Sequence, residues 1–388
     1  MSELEEHIEK AMAALRRDGL ERFPIEITSR APVTVVAGGR SLVNFSSNDY
    51  LCLAHDRRVR AAFAKAALEM PASSTASRLI CGDSEPLRLL ETRLARLKNR
   101  PACLVFPSGY HANLGAITAL AGEGDYILSD RKNHASIIDA CRLCRARVLI
   151  FEHNDVASLE KRLARLPSDA FKLVIVESVY STDGSVAPLE EIFESCRRCG
   201  ATLMADEAHA TGTMGRGGRG LEEHLRLGNA CDVVMGTLGK ALGTHGGFIC
   251  GSRDLIHFLN NRARTAVYTT ALPAAVAAAA AEAVGILLEE GEELVAELRA
   301  RVEFLAARLA EAGLLEGVPQ SPIIPIEIGD ETRCVRLRDA LMERGFFVGA
   351  LRYPTVEAGK ASLRLSVCRL HTDEQLVGLG DALRSLLD

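Results

Sequence analysis

This 388-residue chain has no basic block, no apolar leader, no low-complexity linker and no internal repeat. Lys and Arg total 46 against 51 Asp and Glu, a net charge of −5. A mildly acidic chain of this kind is a poor match for nucleic acid, and no such partner is expected. The N-terminus, MSELEEHIEKAMAALRRDGLERF, is charged and amphipathic and lacks the apolar core of a secretory signal. The one run that looks membrane-like, Ala271 to Leu288, is mostly alanine and carries Pro273 and Glu282. It reads as a buried helix starting at Pro273, so no membrane association is expected. The eleven cysteines are odd in number and scattered, unlike a disulfide framework. Reduced thiols in a cytoplasmic protein are the expectation.

At roughly 100–200 residues per domain, the length fits two or three domains. Hydrophobic residues make up 48% and charged residues 25%, which excludes wholesale disorder. From about residue 100, short apolar runs alternate with amphipathic segments. The runs are ACLVF (102–106), DYILSD (125–130), RVLIFEH (147–153), FKLVIVESV (171–179), TLMAD (202–206), DVVMGT (232–237) and GGFICGS (246–252). Helical patterns follow the first four, the earliest beginning at His111. This alternation predicts an α/β fold with a mostly parallel sheet covered on both faces. Ligands of such sheets sit beyond the carboxyl ends of the strands.

Two helices are expected next, over 273–289 and 291–313. The strands PIIPIEIG (322–329), FFVGALRY (346–353) and SLRLSVCR (362–369) and helices near 332–345 and 373–387 then form a smaller C-terminal α/β domain. Thr372 and Gln375 have capping-box spacing for the last helix. The expected divisions are an N-terminal helix and strand segment (1–45), a large domain (46–288) and a small domain (289–388).

The chemistry concentrates at strand ends. Asp206 and His209 lie in TLMADEAHATG, Lys240 in MGTLGKALGTHGG and His134 in DRKNHAS. A lysine in an apolar, glycine-flanked loop loses solvation. That lowers its pKa and makes a usable amine nucleophile. Pyridoxal phosphate (PLP) requires such a lysine, an acid for its ring nitrogen, a stacking ring and a phosphate cradle. Asp206 can supply the acid and His134 the ring. FPSGYHAN (106–113), where a strand turns through Ser108 and Gly109 into a helix, can supply the cradle. Singly, each has an ordinary reading: a helix cap, a packed histidine, a solvated amine, a turn. Their joint placement at the ends of one sheet points to the cofactor.

Rival motifs are weaker. GRGGRG (215–220) fits a dinucleotide fingerprint in spelling only. It follows no strand and opens no helix, and reads as a solvent loop. GTLGKALG has Ala241 where a nucleotide-binding P-loop needs Ser or Thr, and Val234 where its first glycine belongs. Cys141-x-x-Cys144 and Cys196-x-x-Cys199 lie too far apart for a zinc ribbon and near helix C-termini, where thiols are not activated. No metal site is expected.

Long segments resemble the α-oxoamine synthases, PLP enzymes of fold type I. They are NFSSNDYL (44–51), SRLICG (77–82), FPSGYHANLGAI (106–117), NHAS (133–136), HND (153–155), ESVYSTDGSVAPL (177–189), ADEAHATGTMGRGGRG (205–220), DVVMGTLGKALGTHGG (232–247), YTTALP (268–273), YPTVEAG (353–359) and SLRLSV (362–367). The resemblance implies that Lys240 is the Schiff-base lysine and that Asp206 pairs with the pyridinium nitrogen. His209 and Ser181 would contact the ring hydroxyl, and His134 would stack on the ring. Gly109 and Tyr110 would bind phosphate through their backbone, supported by Thr237. Thr270 would reach the phosphate of a neighbouring subunit, implying a homodimer with shared sites. Asn48 and Glu177 resemble positions lining the reacting centre. Arg364 would clamp the amino-acid carboxylate, Thr355 would contact the acyl side, and Arg22 lies near a substrate-binding arginine.

The chain departs from the family pattern in three places. SSTASR (73–78) lacks the usual glycines, Leu87 stands where many members have His, and Cys52 replaces the Gly of YLGL. The first two touch the acyl side, so they bear on the acyl chain. The implied reaction is a decarboxylative condensation of an amino acid with an acyl thioester. HND, DEAHATG, MGTLGKALG and PTV fit best with L-alanine and a pimeloyl thioester, carried by coenzyme A or acyl carrier protein, as in biotin biosynthesis. The alternative within the family is glycine with acetyl-CoA, the glycine C-acetyltransferase pair; glycine with succinyl-CoA and serine with a long acyl chain are further family pairs. From other classes, a plain aminotransferase would exchange keto acids without releasing thiol.

Overall fold

The computed structural model describes residues 2–387. A seven-stranded sheet organises it. In spatial order its strands are Ala102–Phe106, Gly247–Gly251, Val233–Thr237, Thr202–Asp206, Lys172–Glu177, Tyr126–Asp130 and Arg147–Phe151. All run one way except Gly247–Gly251, which is antiparallel to both neighbours. The central strands are apolar throughout because both faces are covered. Alternate residues face opposite sides. Val174, Val176, Leu203 and Ala205 join one core, with the long helix Ala274–Glu311. Leu173, Ile175 and Met204 join a second core, with helices Gly109–Leu120, Ala135–Leu143 and Arg253–Arg262. Glu177 and Asp206 continue the second series, so both side chains belong to that face. The helix expected from His111 starts at Gly109, and the Ser108 hydroxyl caps it by accepting the His111 N–H.

C-terminal to the long helix, strands Ile323–Gly329, Ala361–Ser366 and Gly349–Leu351 form an antiparallel sheet. Helices Glu331–Glu343 and Asp373–Leu387 accompany it. Thr372 and Gln375 exchange side chain-to-backbone bonds at the start of the last helix, as their spacing predicts. Near the N-terminus, helix Glu3–Arg17 is followed by strands Ile27–Ala31, Thr34–Ala37 and Arg40–Asn44.

Three expectations require correction. The helices expected over 273–289 and 291–313 are one helix, Ala274–Glu311, and the expected domain junction after residue 288 falls inside it. Glu289-Glu290-Gly291 looks like a break, but Gly291 is a packing position. A Cβ there would lie 2.6 Å from the Gly217 carbonyl oxygen. The partner in that contact belongs to GRGGRG, which is therefore no solvent loop. Gly218 and Gly220 are buried, the latter against the Glu207 carboxylate. Finally, FFVGALRY is not one strand. Phe346–Phe347 pairs with Val43–Asn44 in the N-terminal sheet, whereas Gly349–Leu351 pairs with Ser362–Arg364.

Among the described residues, no helix is long and apolar enough to cross a membrane, and no cluster of side chains could hold a metal ion. All eleven cysteines are free. The two C-x-x-C pairs lie at the C-terminal ends of helices Ala135–Leu143 and Leu189–Cys199.

Candidate active site

The strand register places carboxylates side by side. Glu177 and Asp206 are paired residues at the carboxyl ends of adjacent parallel strands, and both are buried. Asp206 is held at both oxygens. Its Oδ1 accepts the Ala208 N–H at 2.9 Å, and its Oδ2 accepts Asn113 Nδ2 at 2.8 Å. Burial, and then the charge of Asp206, push the Glu177 carboxyl well above the usual carboxylate range. Glu177 Oε1 is a buried oxygen without a hydrogen-bond partner.

Lys240 follows the next strand over. Burial lowers its amine to about 8, against the opposing pull of Asp206 and Glu177; Arg364 adds to the lowering. His134 caps helix Ala135–Leu143: its Nδ1 accepts the Ser136 N–H at 3.2 Å and lies 2.8 Å from Ser136 Oγ. Asn113 Nδ2 also donates to Ser136 Oγ, at 2.9 Å. The His134 imidazole is lowered below its ordinary pKa by burial and by Lys240, with Asp206 pulling the other way.

A second network centres on Arg364, whose charge reaches Lys240. Arg364 Nε donates to the Ser181 carbonyl at 2.6 Å. Nη1 donates to Asn48 Oδ1 and Ser366 Oγ, and Nη2 to Asn48 Oδ1 and the Tyr50 hydroxyl. The Tyr50 hydroxyl lies 2.8 Å from His209 Nδ1. Burial pushes the Tyr50 phenol up to about 12 and holds the His209 imidazole well below its usual range. Both rings are therefore neutral near pH 7.

The N-terminus of helix Gly109–Leu120 lies against the strand ends at Thr237 and Gly247. Gly109 faces Thr237 and Met235, and Gly247 packs so closely that its Cβ would lie 2.6 Å from the Gly109 nitrogen. Only glycine permits this approach, which seats the first turn of the helix against the strand; the N–H groups of such a turn can receive an anion. Thr237 Oγ1 donates to the Gly246 carbonyl at 2.9 Å. Tyr110 follows Gly109; its half-exposed side chain bonds Asp139 and sets the ring edge toward His134, with centroids 6.5 Å apart.

The remaining expected residues lie on exposed segments. Arg22 Nη2 donates to the Tyr353 carbonyl at 3.3 Å, and Thr355 follows two residues later. Arg352 fastens the same segments by donating to the Gly19 and Glu21 carbonyls. Beside them a cavity of about 550 Å³ is bounded by Leu20, Thr332 and Tyr353. Thr270 is exposed and makes no side-chain hydrogen bond among the described residues. The segment beyond it is tied to SSTASR, where Ser74 Oγ donates to the Leu272 carbonyl at 2.8 Å and Ala76 accepts the Ala271 N–H.

Sequence reasoning quoted the segments holding Asn113, Ser136 and Tyr50 but assigned those residues no role. Asn113 carried a signal: it is a polar residue on the core-facing side of an otherwise apolar helix, GYHANLGAITAL. Ser136 and Tyr50 carried none apart from their neighbours.

The pocket fits PLP on its own chemistry. A desolvated amine, a fixed buried carboxylate, an imidazole and a helix N-terminus gather at the carboxyl ends of one sheet. The comparisons agree. The model of the family "Aminotransferase class I and II" matches residues 40–383. An 8-amino-7-oxononanoate synthase of Anaeromyxobacter sp. (strain K) is 45% identical, over 97% of this chain and 94% of that protein. One from Methylococcus capsulatus is 43% identical over 96% of each. Among solved structures, serine palmitoyltransferase from S. paucimobilis with a bound PLP–myriocin aldimine superposes with a TM-score of 0.94 at 30% identity, covering 100% of this chain and 98% of that one. With that fold, that site and those relatives, the chain belongs to the class I and II aminotransferase family, in the branch that holds the 8-amino-7-oxononanoate synthases.

Proposed function

We propose that the protein is a PLP-dependent acyltransferase that condenses L-alanine with a pimeloyl thioester. The products are 8-amino-7-oxononanoate, carbon dioxide and free thiol, and the step serves biotin biosynthesis. The observation that carries this reading is the desolvated Lys240 amine beside the fixed Asp206 carboxylate. The relatives named above bear on the substrate pair.

Bound PLP supplies an aldehyde that takes up an amine and a ring that accepts electron density from the α-carbon. Lys240 would hold the cofactor, and its amine, lowered to about 8 by burial, is neutral in a useful fraction near pH 7 and could take the α-proton. Asp206, braced by Ala208 and Asn113, holds a proton at the ring nitrogen. His134 would cover one ring face, and Ser181 and His209 would reach the ring hydroxyl. Glu177 would line the reacting centre, where burial and the charge of Asp206 favour its protonated form. Gly109, Tyr110 and Thr237 receive the phosphate.

Arg364 orients the amino-acid carboxylate with Asn48 beside it. Arg22 and Thr355 meet the acyl substrate, whose carrier is coenzyme A or acyl carrier protein. Thr270 completes the phosphate site of a second subunit, so the working form is a homodimer in the cytoplasm. The seven-stranded sheet and its helices bind the cofactor, and the N-terminal segment and C-terminal sheet region carry the acyl-side residues Arg22 and Thr355.

The test is an assay of PLP-loaded protein with L-alanine and pimeloyl-CoA. It follows thiol release and the aminoketone by mass spectrometry, with glycine plus acetyl-CoA run in parallel. Thiol release coupled to the alanine product is expected. Keto-acid exchange without thiol release, or preference for the glycine pair, would overturn the assignment.

A further inference from the structure

We propose that Asn113 and Ser136 form a directional relay that fixes His134 as a neutral imidazole with its proton on Nε2, which makes Asn113 a positioning residue of the cofactor pocket. The inference rests on the site reading above, in which His134 covers the cofactor ring.

The direction of the relay follows from which groups can donate. Asp206 Oδ2 is a carboxylate oxygen, so the Asn113 atom 2.8 Å away must be the amide nitrogen. The reverse orientation would press two oxygens together. The same nitrogen spends its second proton on Ser136 Oγ at 2.9 Å. With that contact accepted, the Ser136 hydroxyl proton is directed to His134 Nδ1, 2.8 Å away. The Ser136 backbone N–H also points at Nδ1. Two donors converge on that nitrogen, so it carries no proton. The neutral ring's proton is on Nε2, which bonds no protein group among the described residues.

A second histidine in the same chain shows the opposite polarity. His153 Nε2 lies 3.0 Å from Ser185 Oγ, but Ser185 gives its proton to Asp183 Oδ1 at 2.6 Å. Ser185 can then only accept from His153. His153 Nδ1 faces the Asp130 carboxylate at 3.0 Å, so both of its ring nitrogens meet acceptors, whereas two donors point in at His134 Nδ1.

The charged groups around His134 make the lock useful. Asp206, by its charge, favours protonation of the ring; Lys240 opposes it. His209 is a near neighbour that is neutral, and Glu177 lies beside the His134 backbone. Burial disfavours a second proton on the imidazole and Asp206 favours it; the two donors at Nδ1 act on the side of burial. An imidazolium stacked on a protonated pyridine ring would set two cations face to face. The relay keeps the covering ring uncharged while Asp206 keeps its charge for the cofactor nitrogen.

The test is NMR of the ring nitrogens in histidine-¹⁵N-labelled protein, with and without PLP. His134 is identified by the signals lost in His134→Gln, and His153 serves as an internal control. In the wild type, Nδ1 is expected to be unprotonated and Nε2 protonated at neutral pH. Asn113→Leu frees the Ser136 hydroxyl to accept from a protonated Nδ1. The His134 titration midpoint should then rise by about one pH unit, the scale of one hydrogen bond. Ser136→Ala removes a single oxygen and should shift it in the same direction, so it keeps the test open where Asn113→Leu does not fold. The double variant should shift no further than the larger single shift, as for one chain of bonds. Unmoved midpoints, additive shifts or a protonated Nδ1 in the wild type would overturn the relay. These signals are read without substrate, so a relay that holds in a protein inactive on L-alanine would refute the proposed reaction alone.

Discussion

The floor and the rim of this pocket are built in different ways. On the floor, Glu177, Asp206 and Lys240 sit at or just beyond the ends of adjacent parallel strands, and their spacing is the spacing of the sheet. Each is desolvated, hydrogen-bonded or both. By contrast, Arg22, Thr270 and Thr355, proposed above as the rim, are exposed residues whose own side chains make one hydrogen bond or none among the described residues. Strand register leaves the floor no freedom, so chemistry that needs sub-ångström placement belongs there. The rim can vary without disturbing the sheet, and the departures from the family pattern in SSTASR belong to it.

The largest expected effect is on the floor. Lys240→Ala should lower turnover more than about 10³-fold and abolish covalent retention of PLP, read by mass spectrometry of the protein with cofactor. A variant that kept its turnover would remove the floor's claim to the chemistry. A second floor effect concerns pH. Apo-protein should capture PLP faster as pH rises toward about 8 and level off above it, because only the neutral Lys240 amine attacks. Stopped-flow absorbance across pH 6–10 (a span of about four units around that value) would show it, and a flat profile would contradict it.

The rim should respond more gently. Arg22→Ala should raise KM for the acyl thioester roughly tenfold, the value of about one exposed charged contact, with kcat nearly unchanged. A kcat loss of the Lys240 kind would erase the distinction. The smallest effect is on stability. Thr75, in SSTASR, has φ 59°, a left-handed conformation that a β-branched residue adopts at a cost. Thr75→Gly relieves about 1–2 kcal/mol of strain and loses part of it to the freer unfolded chain. A net gain of about 0.5–1 kcal/mol should appear as a higher urea midpoint.

The same division describes what was legible in the sequence. KLVIVE and TLMAD are strands because nothing else buries such runs on both faces, and the residues ending them had to be neighbours. The long helix was misread at Gly291 because its reason is tertiary: the Gly217 carbonyl approaches from 74 positions away. FFVGALRY was misread because its halves serve different sheets, which periodicity cannot announce. Tyr50 and Asn113 were overlooked because their importance lies in what they touch. Cys52, at φ 54°, shows that a departure visible in sequence can mark a backbone demand: the position where the family pattern has glycine is left-handed in this chain.

Arg364 has a consequence for selectivity. All five of its N–H groups already point at oxygen atoms of the protein. For the carboxylate-binding role proposed above, recognition is an exchange of partners, and the Asn48 amide oxygen is the incumbent. It is neutral, and a charge-assisted bond is roughly twice as strong as a neutral one. A free carboxylate therefore gains by replacing it, whereas an amino-acid amide or ester, offering another neutral oxygen, gains almost nothing. The protein thus carries its own reference ligand, and discrimination between acid and ester is set by the contrast with it.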